Sequence, residues 1–521
     1  MLDDVTRASA FERLEAAYGD LRDAFGGLVV ARHRGEDAGM REGDYARRRV
    51  ALARLIATGS PRHGDDAALA SIRSSLGWMD ELEPVDGLEA AGQAPVEPPD
   101  VADLRRRTVE AYGEAVGAVR TTSGVIDRLT ALGRLATEPD AGARRSLFLA
   151  MNPIWAAVDG DSGPASPYRT LLRSSAAHWA RDGSPAEAAA TALGMAPGSL
   201  EPTLREILAR WRRVLGRERI EPWNYWFVVG ALERRLGGLV GRNRLRAIND
   251  AHLASLGADA AALGIRYDLE PRPGRPPIPV AFTISEDVAR PRDDGSWRAA
   301  TPWVFATYAE GGLGNLEELV HESGHALHYA AIRTRPAFFE PPVEGGGFVE
   351  GIADLVGWDV HEPSFQARHL GATAGPGERR IGRYGGVMLD VCWALLEIEL
   401  HRHPDRSPND AWTELTEAGL GIVPHPEWSW WAVRGQLIES PGYMINYALA
   451  AIVAAALRRR IREVRGEWLG AGGDPGWYAF VAEHLLRFGS ERPPREVLEA
   501  FLGGPLTAEA LFTDFAAATP A

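Results

Sequence analysis

Residues 321–325 read His-Glu-Ser-Gly-His, and this pentapeptide restricts the fold more than any other feature of the chain. Two histidines four apart can serve one purpose only if the backbone between them is helical. At about 3.6 residues per turn, positions i and i+4 share a face, so both imidazoles reach the same point in space. Glu322 lies one step further round, beside that point rather than on it. Leu316, Leu319, Val320, Ala326, Leu327 and Tyr329 can supply the buried faces of this helix, and Asn315 is a fair N-cap. The spacing predicts a helix over about 315–332. Gly324 costs such a helix about 1 kcal/mol against alanine, so it implies close approach by another backbone or by a substrate. A core helix with two satisfied histidines would carry the same letters. The acidic residue between them favours a divalent metal site, with Glu322 as general base.

A catalytic zinc ion takes three protein ligands and leaves one position for water, so a third donor is needed downstream. Residues 345–354, Gly-Gly-Gly-Phe-Val-Glu-Gly-Ile-Ala-Asp, offer one. The glycines mark a loop, and Phe348 begins a helical apolar pattern that runs through Val356 and predicts a helix over about 347–360. Glu350 and Asp354 share a face of that helix. His321, His325 and Glu350 are therefore the candidate ligands of one Zn2+ per chain, and Asp354 is the candidate partner that fixes the tautomer of a ligand histidine.

The rest of the chain places these segments in a mainly α protein. Of its 521 residues, 45% are hydrophobic and 25% charged, enough to bury a large core. Length alone suggests three or four domains, although a large helical enzyme can be one continuous body. Helical periodicity fills 1–83 and 100–150, interrupted by a Pro- and Gly-marked loop at 84–99. After a break at 159–164 it runs to about 262. Residues 265–310 are rich in Pro and Gly and carry two runs of strand character, Pro279–Ile284 and Trp303–Tyr308, which predict a small sheet beside the motif helix. Helices then dominate to the end.

The net charge of −14 argues against non-specific nucleic-acid binding. All basic residues are Arg, which we take as a base-composition habit. The single cysteine, Cys392, lies in an apolar run and reads as a buried small hydrophobe. The longest apolar stretch, Tyr447–Leu457, is far short of the ~20 residues of a bilayer span. Without a membrane segment or a signal-like N-terminus, a cytoplasmic location is expected by elimination.

These blocks resemble the thimet oligopeptidase and oligoendopeptidase F family of gluzincin-type zinc metallopeptidases and, more distantly, angiotensin-converting enzyme. In residues 302–328, PWVFATYAEGGLGNLEELVHESGHALH, a strand precedes an H-E-x-G-H-x-x-H helix as it does in the family. Glu350 follows His325 by the family's 25 residues and stands in an E-x-x-x-D pattern. His328 matches an extra family histidine whose role is structural. The stretch from Pro441 to Ala450, Pro-Gly-Tyr-Met-Ile-Asn-Tyr-Ala-Leu-Ala, matches a tyrosine helix, expected over about 441–460, that supplies a hydroxyl to the substrate oxyanion. Tyr447 is the better match and Tyr443 the alternative. A donor histidine expected before this helix is missing: 426–446 contain none, His425 is far upstream, and Arg434 and Gln436 are candidate stand-ins. Residues 222–226, PWNYW, resemble a family P-W-D-x-x-Y with Asn224 in place of the acid.

The resemblance covers about 220–457. It implies an N-terminal helical region, 1–215, forming one wall of a deep substrate channel, and a zinc-binding catalytic region, 216–521. It also implies an edge strand at 303–308, with Trp303, Phe305, Ala306 and Thr307 joining Gly324 in substrate binding. The function implied is hydrolysis of short peptides by a zinc-activated water, with Glu322 as base. A zinc hydrolase of a modified or non-peptide amide and a non-catalytic peptide-binding relative are the alternatives.

Overall fold

The computed structural model describes the chain except residues 1, 59–64, 86–96, 217, 273–277, 279, 293, 342–345, 471 and 517–521, and describes the backbone alone for residues 2–10 and 81. Helix dominates it. Three N-terminal helices, α1 (Leu2–Arg34), α2 (Gly39–Thr58) and α3 (Asp66–Leu82), enclose a hydrophobic cluster that includes Leu21, Phe25, Ile72 and Met79. This cluster also contains Ile284 and Phe305, so the N-terminal helices sit directly on the sheet. Arg22 of α1 is fully buried there, between the rings of Phe25, Trp78 and Phe339. Its charge is matched by Glu340, and it donates to the carbonyl of Ser285 at 3.1 Å. The larger core runs from Tyr112 to Phe515 without a gap at residue 215.

The sheet has three strands, β1 (Arg266–Asp268), β2 (Phe282–Ser285) and β3 (Pro302–Phe305). Their order is β1-β3-β2, with β3 parallel to β1 and antiparallel to β2. The strand expected at 303–308 is therefore central and ends at Phe305, so it has no free edge, and β2 is an outer strand. Of the run expected at 279–284, Pro279 lies outside the described residues. A hairpin at Val119–Thr121 and Gly124–Ile126 lies outside the region of expected strand. Its strands of three residues are too short to show a two-residue alternation.

Four more helices belong to the larger core, α4 (Pro167–Asp182), α5 (Leu313–Ala331), α6 (Gly346–Gly357) and α7 (Pro376–Arg402), and the last three supply residues of the site. A fifth, α8 (Ile445–Arg465), passes through the core with Ala448–Leu457 buried on every side, as expected of an apolar run too short for a membrane. Cys392 of α7 is buried as well. Among the described residues no helix is long and apolar enough to cross a membrane.

Helix α6 packs against both α5 and α8, and small residues set the distance. A Cβ on Gly324 of α5 would lie 2.8 Å from Ala353 Cα and 2.9 Å from its carbonyl oxygen, while one on Gly351 would lie 2.7 Å from Val453 of α8. The helix-weakening glycine of the motif is thus explained by a neighbouring backbone, not by substrate. Gly324→Ala would gain about 1 kcal/mol of helix propensity but force two backbones apart, which costs about 1–3 kcal/mol. The packing term wins. Thermal unfolding should show net destabilisation, and metal titration a weakened site, because the same shift moves Glu350 away from the histidines.

Candidate metal centre

Helix α5 starts at Leu313, two residues before the expected N-cap. Gly312 supplies the turn with φ of +119°, a conformation that side chains disfavour. The first helical N–H groups are satisfied from a distance: the Glu233 carboxylate accepts from Gly314 N at 2.9 Å, where a negative charge also suits the helix dipole. Asn315 is not the cap. Its side chain donates back to the carbonyls of Glu310 and Gly311, both at 3.1 Å.

On this helix His321 and His325 set their rings 4.9 Å apart and nearly perpendicular. Glu350 of α6 reaches across, its Oε2 3.4 Å from His321 Nε2 and 3.9 Å from His325 Nε2. One donor atom from each of the three lies within 4.8 Å of the others. Two donors bound at 2.0–2.2 Å to one tetrahedral ion lie about 3.3–3.6 Å apart, a spacing that His321 and Glu350 already have and that His325 and Glu350 exceed, so the donor types suit a zinc-sized cation once the set draws in. Asp354 Oδ1 is 2.8 Å from His321 Nδ1, which leaves Nε2 to face the centre. Burial opposes charge on both partners. Even so, Asp354 and Glu350 raise His321 well above the usual imidazole range, and His321 pulls Glu350 down to about 2. Burial lowers His325. Protons therefore compete with a cation for this site, and affinity for metal should fall as pH falls.

Glu322 is buried beside this centre and is not one of the three donors. Its carboxylate meets the hydroxyl of Thr283, on β2, at 2.7 Å. No local spacing rule joins positions 283 and 322, and sequence reasoning missed this contact. His328 points into the core, where burial lowers it to about 3.

The residues of 303–307 expected to bind substrate have partners of their own, on β3 and just after it. Trp303 and Phe305 pack into the N-terminal cluster, with Trp303 Nε1 donating to Glu286 at 2.8 Å. Ala306 N bonds Asp268 O at 3.0 Å, and Thr307 Oγ1 accepts from Ile278 N at 2.9 Å. A central strand has spent both edges on its neighbours, and its side chains face cores on both sides.

Tyr447 lies in the first turn of α8, but Tyr443 stands in the preceding turn rather than in the helix. Tyr443 donates to Glu350 Oε1 at 3.2 Å, and its ring lies 5.6 Å from that of Tyr447. Tyr447 lines a cavity of about 280 Å³ with His321, Glu350, Asp354 and Asp390. Burial, then Glu350, holds both phenols far above their usual range, so both are protonated donors at neutral pH. Of the candidate stand-ins, Arg434 pairs with Asp390 at 2.5 Å while lying 5.8 Å from the Tyr447 ring, and Gln436 opens the short helix just before the tyrosine turn. His425 is held between Glu221 and Glu427 and stacks on Trp428, and Asn224 accepts from Arg144.

The tyrosine turn is clamped by Glu397 of α7, which accepts from Gly442 N at 2.6 Å and Met444 N at 3.2 Å. Burial pushes this carboxyl up to about 8. In the unfolded chain it ionises near the ordinary 4.5, so between these values unfolding releases a proton and stability falls as pH rises. Unfolding free energies from denaturant titrations at pH 5 and 8 should differ by up to a few kcal/mol from this group. Glu397→Gln should flatten that difference.

Fold and site together define a mainly α protein in which His321, His325 and Glu350 could hold a metal ion. In fold it is similar to the M32 carboxypeptidase from Deinococcus radiodurans R1, with TM-score 0.61 and 14% identity over 97% of each chain. It is also similar to the Pyrococcus furiosus carboxypeptidase, with TM-score 0.59 and 14% identity over 98% of each chain. A protein assigned as oligoendopeptidase F matches with TM-score 0.56 and 16% identity over 97% of this chain and 95% of that one. At these identities the likeness is one of fold. Oligoendopeptidase F is among the families the motifs resemble, whereas the carboxypeptidases were not anticipated. Neither a family model nor a curated protein sequence matches the chain.

Proposed function

We propose that this chain is a metal-dependent peptidase of short peptides, with zinc as its ion. The observation that carries this reading is the convergence of His321, His325 and Glu350 within 4.8 Å, with Glu322 adjacent but outside the donor set. A divalent ion held by these three would supply Lewis acidity, which brings the pKa of water from 15.7 to about 7. Glu322 takes the proton of the attacking water and passes it to the leaving amine. Tyr447, facing the cavity, donates to the oxyanion of the scissile carbonyl, and Tyr443 orients Glu350.

Strand β2 takes the place proposed from sequence for 303–308. Glu286 N donates inward to Thr301 O, and Ser285 O faces outward to Arg22. By the two-residue period of a strand, the main-chain groups of Thr283 also face outward, where an extended peptide can add. The N-terminal helices wall this side.

The test is a mixed peptide pool analysed by mass spectrometry. Cleavage that stops with chelator and returns with zinc supports the reading, and the cleaved ends distinguish endopeptidase from carboxypeptidase action. Stoichiometric metal without cleavage would favour a hydrolase of another amide. The tyrosines separate by readout. Tyr447→Phe should lower kcat about 10²-fold with metal affinity intact, whereas Tyr443→Phe should weaken metal binding about 10-fold or more.

A further inference from the structure

We propose that Thr283 is a positioning residue for Glu322, holding its carboxyl group in one place through both the charged and the protonated halves of the proton transfer; this rests on Glu322 being the general base. Thr283 and Ser285 alternate along β2 with the apolar Phe282 and Ile284. Phe282 and Ile284 pack against the N-terminal helices, so the alternation of the strand turns Thr283 toward α5. There its hydroxyl meets two oxygens of the same residue, Glu322 Oε2 at 2.7 Å and the Glu322 carbonyl at 2.9 Å.

A hydroxyl has one proton to give and lone pairs to receive with. While Glu322 is a carboxylate, the Thr283 proton goes to Oε2, because a hydrogen bond to a charged acceptor is the stronger. When Glu322 has taken the proton of the attacking water on Oε1, Oε2 is still an acceptor and keeps the Thr283 hydroxyl's proton. No heavy atom moves, and every donor keeps an acceptor. When the proton leaves Oε1 with the amine, the bond from Thr283 to Oε2 is unchanged. A carboxyl group with one fixed oxygen presents the other to the reacting water without searching rotamers. Thr283 also stands on the strand proposed to carry the peptide, which ties the position of the base to that of the substrate.

The test compares Thr283→Val, Thr283→Ala and Thr283→Ser with wild type and Glu322→Gln, by kcat, KM, metal content and thermal unfolding. Valine keeps the shape and strand preference of threonine without the hydroxyl; alanine serves if valine fails to fold. The hydroxyl-free variant should lose about 10- to 100-fold in kcat, the worth of a hydrogen bond to a charged group, with KM and metal content unchanged. Thr283→Ser should restore most of the rate, and adding the hydroxyl-free change to Glu322→Gln should cost nothing further. Wild-type kcat in the hydroxyl-free variant alongside an inactive Glu322→Gln would overturn the proposal and leave the base assignment standing. A serine variant as slow as valine would overturn it too. A fully active Glu322→Gln would remove the base assignment and this proposal together.

Discussion

Glu322→Gln should lower kcat by about 10³-fold while metal content stays at one ion per chain. Glutamine has nearly the size of glutamate, so the buried pocket beside α5 still closes around it. What it loses is the ability to take a proton, and a positioned general base contributes about 10²–10⁴-fold. Glu322 is outside the three-donor set, so neither the ion nor the packing of α5 on α6 has reason to change. The loss should therefore fall on kcat, with KM within a small factor of wild type. Steady-state kinetics with metal analysis on the same preparation checks this, and normal turnover would contradict the assignment.

Glu350→Ala should act on the metal first and on the rate in consequence. It removes the only anionic donor of the three and leaves two neutral imidazoles. It also strips His321 and Tyr443 of a partner, since Glu350 lies 3.4 Å from His321 Nε2 and 3.2 Å from the Tyr443 hydroxyl. Loss of a partner outside the donor set typically costs 10–100-fold in metal affinity, and loss of a donor should exceed about 100-fold. Competition with a chelator of known affinity measures this. Because His321 keeps its bond to Asp354, the variant should remain folded, so a stability trace near wild type beside lost zinc is the expected pair of results. Stoichiometric zinc in the variant would mean that the third donor lies elsewhere.

How much of this could be read in advance depends on the distance over which each feature is encoded. The face shared by His321 and His325, and that shared by Glu350 and Asp354, are matters of helical period within one turn. The apolar run on α8 declares its own burial. Features that need two distant segments were less accessible. Gly324 signalled a close approach, but only the structure names Ala353 as the neighbour. Strand character at 303–305 was visible in Trp-Val-Phe, but strand order was not, and so a central strand was expected to be an edge. The cap on α5 comes from Glu233, eighty residues upstream, which is why Asn315 looked like the better cap. Thr283 carried only the alternation of the strand, shared with Ser285, and nothing local said that it would meet Glu322.

The most direct check is a crystal structure with anomalous data collected on both sides of the zinc absorption edge. One edge-dependent peak per chain is expected, bonded to His321 Nε2, His325 Nε2 and one carboxylate oxygen of Glu350. A peak at any other place, or full peptide cleavage by a chain that holds no metal between those three residues, would contradict this reading.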